Sequence, residues 1–212
     1  MARSRVWFIP ANTHDAQSKL HFAIETVLAH RAYALVNTFL DGDLVGIKLP
    51  YVEDKAHVFS DASLLKAFVM ALKQRNRIPF LCDTAARHME KKANAIEHLD
   101  LYLACGVTHE RTGAPLAMLD GINGGYELAH DPHGRRGGEK ALLAGELQNL
   151  DGLVILSTPI RADDRVSEGA LFNLGVGLAS KRGKIQLYSN SGPQVNVERC
   201  YLCKKCIYIC PV

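Results

Sequence analysis

Asp41-Gly42-Asp43-Leu44-Val45-Gly46-Ile47-Lys48-Leu49 is the stretch that decides the fold. Its first three residues are a turn signal, and the next six read as a nearly continuous apolar strand. Strands of this kind are covered on both faces, and alternation with helices favours parallel order. Downstream, Ser60 or Asp61 is placed to cap a helix carrying Leu64, Leu65, Phe68, Val69 and Leu72 at helical spacing. Arg77-Ile-Pro-Phe-Leu-Cys-Asp83 repeats the buried-strand signature, and Lys91–Cys105 reads as a helix ending at Gly106. Ala114–Asp120 resembles another strand, opening into the loop Gly121-Ile-Asn-Gly-Gly125. Upstream, Arg5–Pro10 reads as a strand and Asp15–Arg31 as an amphipathic helix with Leu20, Ile24, Val27 and Leu28 on one face. Further along, between Gly125 and Gly138, the polar stretch His130-Asp-Pro-His-Gly-Arg-Arg136 predicts an exposed turn, Lys140–Leu147 a short helix, and Leu150–Ser157 the strongest late strand. The pattern predicts an α/β fold, a mostly parallel sheet flanked by helices.

The 212 residues suffice for one large α/β domain with a small appendage. A hydrophobic share of 48% with 22% charged residues is that of an ordinary globular chain. No apolar run approaches the ~20 residues that span a bilayer, so no membrane insertion is expected. The basic residues and short apolar stretch before Pro10 break too soon for a signal-peptide core. The expected compartment is a reducing cytoplasm. Charge is uneven: of 25 Lys and Arg, six lie from Gly169 onward, whereas of 22 Asp and Glu only Glu198 does. Two readings stand, a solvated basic tail, or positive charge that offsets an anionic cluster or docks an acidic electron-transfer partner. No aromatic-interleaved basic stripe argues for nucleic acid.

Four of the six cysteines form Cys200-Tyr-Leu-Cys203-Lys-Lys-Cys206-Ile-Tyr-Ile-Cys210-Pro211, the C-x2-C-x2-C-x3-C-P run of a bacterial-type ferredoxin. Cys200, Cys203 and Cys206 are the ligands expected for one [4Fe–4S] cluster. In two-cluster ferredoxins the fourth cysteine, here Cys210, ligates the other cluster. A structural zinc site more commonly uses two separated C-x2-C knuckles. Lys204 and Lys205 flank the third thiolate, where positive charge raises a cluster's reduction potential. Cys82 and Cys105 read as small buried residues rather than ligands.

Two further constellations are candidate sites. Gly169-Ala-Leu-Phe-Asn-Leu-Gly-Val-Gly-Leu-Ala-Ser-Lys-Arg-Gly-Lys184 contains Gly175, Gly177, Ser180 and Lys181, which can cradle an anion on backbone N–H groups. It matches neither a Walker loop nor a dinucleotide fingerprint, and a flexible glycine-rich connector is the alternative. Asp83 and Asp120 fall at predicted strand ends near Lys48, where open parallel sheets collect ligands. Each aspartate alone is as well explained by capping or turn hydrogen bonds. The nine histidines show no metal-ligand pairing, and His88, His98, His109, His130 and His133 read as surface residues.

Gly42-Asp-Leu-Val-Gly-Ile-Lys-Leu49, Pro79-Phe-Leu-Cys-Asp-Thr84, Asn94-Ala-Ile-Glu-His98, Ala114-Pro115 with Asp120-Gly121, and Gly169-Ala-Leu-x-Asn-Leu-Gly-x-Gly-x-Ala-Ser180 occur in this order before the cysteine run. Together they resemble the domain-of-unknown-function 362 family of iron–sulfur centre proteins. The resemblance implies an α/β domain over 1–192 and a partial ferredoxin-type 4Fe–4S module over 193–212. Family members often carry a Ser-His-x-Lys-Gly-His-like stretch where this chain has Ser157-Thr-Pro-Ile-Arg161, and a lysine where it has Phe172. They also usually continue through a second cysteine run, so the resemblance implies a fragment or a truncated variant. The expected function is iron–sulfur electron transfer or a redox-accessory role with a protein redox partner. Two alternatives remain open at this point. One is a redox enzyme acting on a small polar substrate near Lys48, Asp83 and Asp120. The other is a non-redox binding module stapled by a structural metal.

Overall fold

The computed structural model of the chain describes residues 38–50, 62–87, 93–131, 140–157, 160–162, 165–189 and 196–205. The strand expected at Arg5–Pro10 and the helix expected at Asp15–Arg31 lie outside the described residues, as do Ser60 and Asp61, His88 and His133. In chain order the elements are β1 (Leu44–Lys48), α1 (Ala62–Lys73), β2 (Ile78–Asp83), α2 (Ala95–Ala104), α3 (His109–Thr112) and β3 (Leu116–Met118). There follow β4 (Glu127–His130), β5 (Ala141–Ala144), a 3-10 turn over Gly145–Asn149, β6 (Gly152–Ile155), β7 (Ile160–Ala162) and β8 (Arg165–Glu168). Helices α4 (Ala170–Gly175) and α5 (Lys181–Ser189) and a 3-10 turn over Val197–Arg199 complete the order.

A four-stranded sheet in the order β3-β2-β1-β6 is parallel at every pairing. Alternation along β1 sends Val45 and Ile47, with Leu49 beyond, into one core with Leu65, Val69, Leu72, Leu81, Tyr102 and Val107. The other face is built from Cys82, Leu119, Ala144 and Leu178 with Phe80, Leu150 and Leu153 against them. Gly46 keeps that second face shallow, because a Cβ there would stand 3.2 Å from Cys82 Sγ and from methyls of Leu150 and Leu153. The sheet therefore has apolar layers on both faces, as the unbroken strand sequences require.

α2 begins later than its apolar pattern suggests. Asn94 caps it, its Oδ1 accepting from Glu97 N–H at 2.9 Å while its Nδ2 donates to Glu97 Oε2 at 3.0 Å. The helix stops where Gly106 takes a positive φ of 83°.

The turn expected at His130–Arg136 lies outside the described residues beyond Asp131, and Glu127–His130 just before it pairs antiparallel with β5. Two expectations are corrected. The helix expected at Lys140–Leu147 is instead β5 followed by a 3-10 turn. Ala and Leu favour helix locally, but the backbone here is claimed by other segments. Ala144 N–H donates to Leu178 O at 2.9 Å, Ser180 N–H donates to Leu142 O at 3.0 Å, and Leu143 bridges Ala179. Gly169–Lys184 is no loose connector: it folds as α4, a turn and the start of α5, with Asn173, Gly177, Leu178, Ala179, Ser180 and Lys184 buried.

No helix among the described residues is long and apolar enough to cross a membrane. The expected domain boundary at 192/193 lies outside the described residues.

Candidate functional site at the strand carboxyl ends

Because β1, β2, β3 and β6 are parallel, their carboxyl ends share one edge of the sheet. The chain lays β2 and β3 on one side of β1 and then returns to lay β6 on the other. The crevice between β1 and β6 is therefore the topological switch point, where such sheets take ligands.

Lys48, the last residue of β1, is fully buried. Its ammonium donates to Asp83 Oδ1 at 2.7 Å, Leu49 O at 2.7 Å and Asn173 Oδ1 at 3.0 Å. Asp83 ends β2, and its Oδ1 also accepts from Thr84 N–H at 2.8 Å. Its Oδ2 accepts from Tyr102 O–H at 2.6 Å and lies 3.4 Å from His98 Nε2. His98 and Tyr102 stand four residues apart on one face of α2 and stack with centroids 5.2 Å apart. Burial alone would raise the Asp83 carboxyl, but the Lys48 ammonium, His98 and the hydrogen bonds from Lys48 and Tyr102 outweigh it. They hold the group below its ordinary value. Burial, then the Asp83 charge, pushes the Tyr102 phenol well above its own. Tyr102 thus stays a donor and Asp83 an ionised acceptor.

Lys184 reaches the same edge from α5, also fully buried. It donates to Thr84 Oγ1 at 2.6 Å, Ala85 O at 2.8 Å and Ala179 O at 2.8 Å. Thr84 Oγ1 in turn donates a hydrogen bond to Gly177 O at 2.7 Å. Asp120, just beyond β3, accepts from Ala85 N–H at 3.0 Å through Oδ1 and from Lys181 N–H at 3.2 Å through Oδ2. Burial raises its carboxyl, opposed by the Lys184 charge and the Ala85 N–H. Lys48, Asp83 and Asp120 thus lie along one buried edge, with Lys48 and Asp83 in direct contact.

The anion-loop candidates are drawn into the same network. The first N–H of α5, that of Lys181, points at Asp120, and Lys181 Nζ donates to Ala93 O at 2.9 Å. Ser180 Oγ accepts from Gly183 N–H at 3.0 Å and bonds Glu127 Oε2 at 3.1 Å. Gly177 packs against Asn173, whose backbone and side-chain oxygens a Cβ there would strike. Gly175 lies in open space. Of the N–H groups foreseen for an external anion, that of Lys181 is taken by a carboxylate of the chain itself.

His98 corrects the reading of the histidines as surface groups, being buried because the α2 face that carries it turns onto Asp83. His109 and His130 are exposed. Sequence reasoning also missed Tyr102, Thr84, Asn173 and the burial of Lys184. The i, i+4 spacing of His98 and Tyr102 is the one local signal that was available.

The cysteine segment is the opposite environment. Cys200 and Cys203 are free and exposed, with Leu202 (φ 57°) and Lys204 (φ 60°) both in the left-handed region. Cys206 and Cys210 lie outside the described residues. Cys82, by contrast, is buried in β2, and burial pushes its thiol up to about 12, against the pull of Lys48. Such a thiol is inert as a ligand or nucleophile at neutral pH. Among the described residues, no three His, Cys, Asp or Glu gather as a metal site. No family model, curated protein or solved structure matches the chain.

Proposed function

We propose that this chain is an iron–sulfur protein of the domain-of-unknown-function 362 type that acts in electron transfer or as a redox accessory. Cys200, Cys203, Cys206 and Cys210 are the residues that would hold a [4Fe–4S] cluster, which when bound supplies one-electron chemistry. The observation that carries this reading is the contrast among thiols. Cys82 is sealed and held protonated, whereas Cys200 and Cys203 are exposed in a segment that has two non-glycine residues in the left-handed region. Such residues cost about 1–2 kcal/mol each. Backbone that alternates hand turns N–H groups inward, as in many iron–sulfur sites. A soft, all-thiolate donor set suits iron–sulfur chemistry.

Arg199, Lys204 and Lys205 surround these cysteines on an exposed surface with Val197, Tyr201 and Leu202. This composition suits an acidic protein redox partner that meets an apolar centre with a basic rim. A reducing cytoplasm suits free thiols and a cluster. Anaerobic reconstitution followed by iron and sulfide quantitation and electron paramagnetic resonance tests the reading. Stoichiometric iron and sulfide with a reducible cluster signal is the expected result. Bound zinc without iron absorbance overturns it.

The buried strand-end network favours a second reading, an enzyme acting on a small polar molecule near Lys48, Asp83 and Asp120. On that reading Asp83→Ala abolishes turnover while the cluster spectrum survives.

A further inference from the structure

Asn123-Gly124, in the loop after β3, is the one Asn-Gly step in the chain. It lies in the turn Gly121–Gly124, closed by Gly124 N–H to Gly121 O at 3.3 Å, and Asn123 is exposed. That bond is longer than the usual ~2.7–3.2 Å, so freeing the N–H costs little. Packing dictates the glycine. Gly124 is buried at a positive φ of 71°, and a Cβ there would stand 2.6 Å from Lys181 Cβ and 3.0 Å from Ala85 Cβ. The missing Cβ that lets the turn close onto the strand-end edge also leaves the Gly124 nitrogen unhindered beside a carboxamide. The two groups are joined by the chain, so their reaction is intramolecular.

The same loop holds an internal control. Asp120-Gly121 also sets a side-chain carbonyl before a glycine at positive φ, here 75°. Its carboxyl, however, is fully buried and fixed by Ala85 N–H at 3.0 and 3.1 Å and by Lys181 N–H at 3.2 Å. Turning it onto the Gly121 nitrogen would break those bonds inside the protein, where unmet polar groups are costly. Asn123 faces solvent and carries no such restraint. We propose that Asn123-Gly124 is a self-modification site, at which the chain converts the asparagine to aspartate and isoaspartate and so loosens the turn on the strand-end edge.

Water is the only co-reactant. The Gly124 N–H gives its proton to solvent base, and the nitrogen bonds to Asn123 Cγ. The Cγ–Nδ2 bond breaks, and Nδ2 leaves as ammonia with a proton returned by solvent. Water then opens the resulting succinimide, and the Gly124 nitrogen regains its proton. Opening at Cγ gives aspartate. Opening at the backbone carbonyl gives isoaspartate, whose main chain runs through Cγ. Either product adds a negative charge three residues from Asp120, and isoaspartate also lengthens the main chain by one methylene immediately before the buried Gly124. The turn is tied to its surroundings by Ala95 N–H, the first of α2, to Ile122 O at 2.7 Å, and by Tyr126 N–H to Asp120 O at 2.9 Å. A displaced Gly124 is therefore felt at both. The reaction needs neither a cluster nor a substrate, and is independent of the function proposed above.

The test incubates the full-length wild-type chain in mildly alkaline buffer and follows it by peptide mass mapping with an ammonia assay. The peptide holding Asn123 should gain about 1 Da as the carboxamide becomes a carboxyl, with one ammonia released per conversion. In heavy-oxygen water the same peptide should take up one oxygen label. The rate should rise with pH, because the attacking group is the deprotonated nitrogen. Asn123→Gln, which must close a larger ring, should lose the gain. In the converted chain, hydrogen–deuterium exchange should rise at the Ala95, Gly124 and Tyr126 N–H groups while β1 and β2 stay protected. A wild-type Asn123 peptide that gains no mass, or gains it no faster than the other asparagine peptides, overturns the site whether or not the variant folds. Conversion that leaves exchange at Ala95 and Tyr126 unmoved overturns its action on the edge.

Discussion

The strand-end network and the cysteine segment use charge in opposite ways. At the strand ends, two lysines, two aspartates, a histidine and an asparagine are buried at 3% exposure or less and bonded to one another or to backbone. In the cysteine segment, residues 196–205 are all exposed, and Arg199, Lys204 and Lys205 meet solvent. Burial turns the first set into mutual dependents: each charge is tolerable only because its partner is present. Exposure leaves the second set free to meet something outside the domain. A lysine in this chain therefore cannot be assigned a role by type. Lys48 and Lys184 belong to the interior and Lys204 and Lys205 to the exterior.

The sharpest way to break this contrast is to remove one buried partner. Asp83→Ala leaves the Lys48 ammonium buried beside Leu49 O and Asn173, and takes the acceptor from Tyr102 O–H. Losing one member of a buried ion pair costs about 3–5 kcal/mol. For a chain of this length that lowers the melting temperature by roughly 10 °C or more. Thermal melting followed by circular dichroism measures it, and iron bound per folded chain should not change. If the melting temperature holds and iron is lost, the two regions are one site and the contrast fails.

A comparable effect is expected from Lys184→Met, which keeps most of the stem but strands the Thr84 hydroxyl oxygen and two carbonyls. The hydrogen bonds to Thr84, Ala85 and Ala179 go to neutral oxygens, so each acceptor left unmet costs about 1–3 kcal/mol, and Asp120 loses the Lys184 charge that opposes its rise. Denaturant unfolding of the variant should show a lower midpoint with unchanged slope. A midpoint equal to that of wild type would show that these bonds do not hold the fold.

The parallel sheet was legible because its strands are long enough to declare themselves. Leu44–Leu49 and Arg77–Asp83 are apolar on both faces, and nothing nearby competes with that pattern. Asp83 and Asp120 could be placed at strand ends by the same logic, with Lys48 in mid-strand or near its end. The hairpin of β4 and β5 was hidden, because Ala141–Ala144 has no strand signature of its own and owes its conformation to Glu127–His130 and to Leu178–Ser180. Asn173 was hidden for a related reason. A polar residue between Phe172 and Leu174 has no local feature that assigns it to the gap between two strands. The contacts from Lys48 to Asn173 and from Thr84 to Lys184 span a hundred positions or more, beyond the reach of any local pattern.

Acid offers a milder probe of the buried side. Asp83 titrates below its unfolded value of about 3.8, so its stabilisation is complete above that pH and is lost as pH falls through the folded value. Asp120 runs the other way. Its folded carboxyl titrates above the unfolded one, so its contribution is present in acid and is lost as pH rises. Wild-type stability from denaturant midpoints should therefore fall steeply only below about pH 4. Asp83→Asn should flatten that fall, whereas Asp120→Asn should leave it in place and remove the gain in stability that wild type shows as pH falls toward about 4. Identical slopes in both variants would show that other carboxylates govern acid unfolding.

The smallest expected effect on the fold tests the exposed side. Cys203→Ser changes one sulfur to oxygen on an exposed residue that makes none of the core contacts described above. Surface substitutions of that kind stay within about 0.5 kcal/mol. The melting temperature of the metal-free chain should therefore match that of wild type, although Asp83→Ala moves it by roughly 10 °C or more. Iron retained after anaerobic reconstitution should nevertheless collapse, because serine is a poor ligand for a soft cluster site. The informative comparison is the pair of variants. Asp83→Ala should move stability and spare iron, and Cys203→Ser should do the reverse. Were Cys203→Ser to unfold the metal-free α/β domain, the cysteine segment would be part of the core, and its accessibility to a redox partner would no longer follow from its place in the chain.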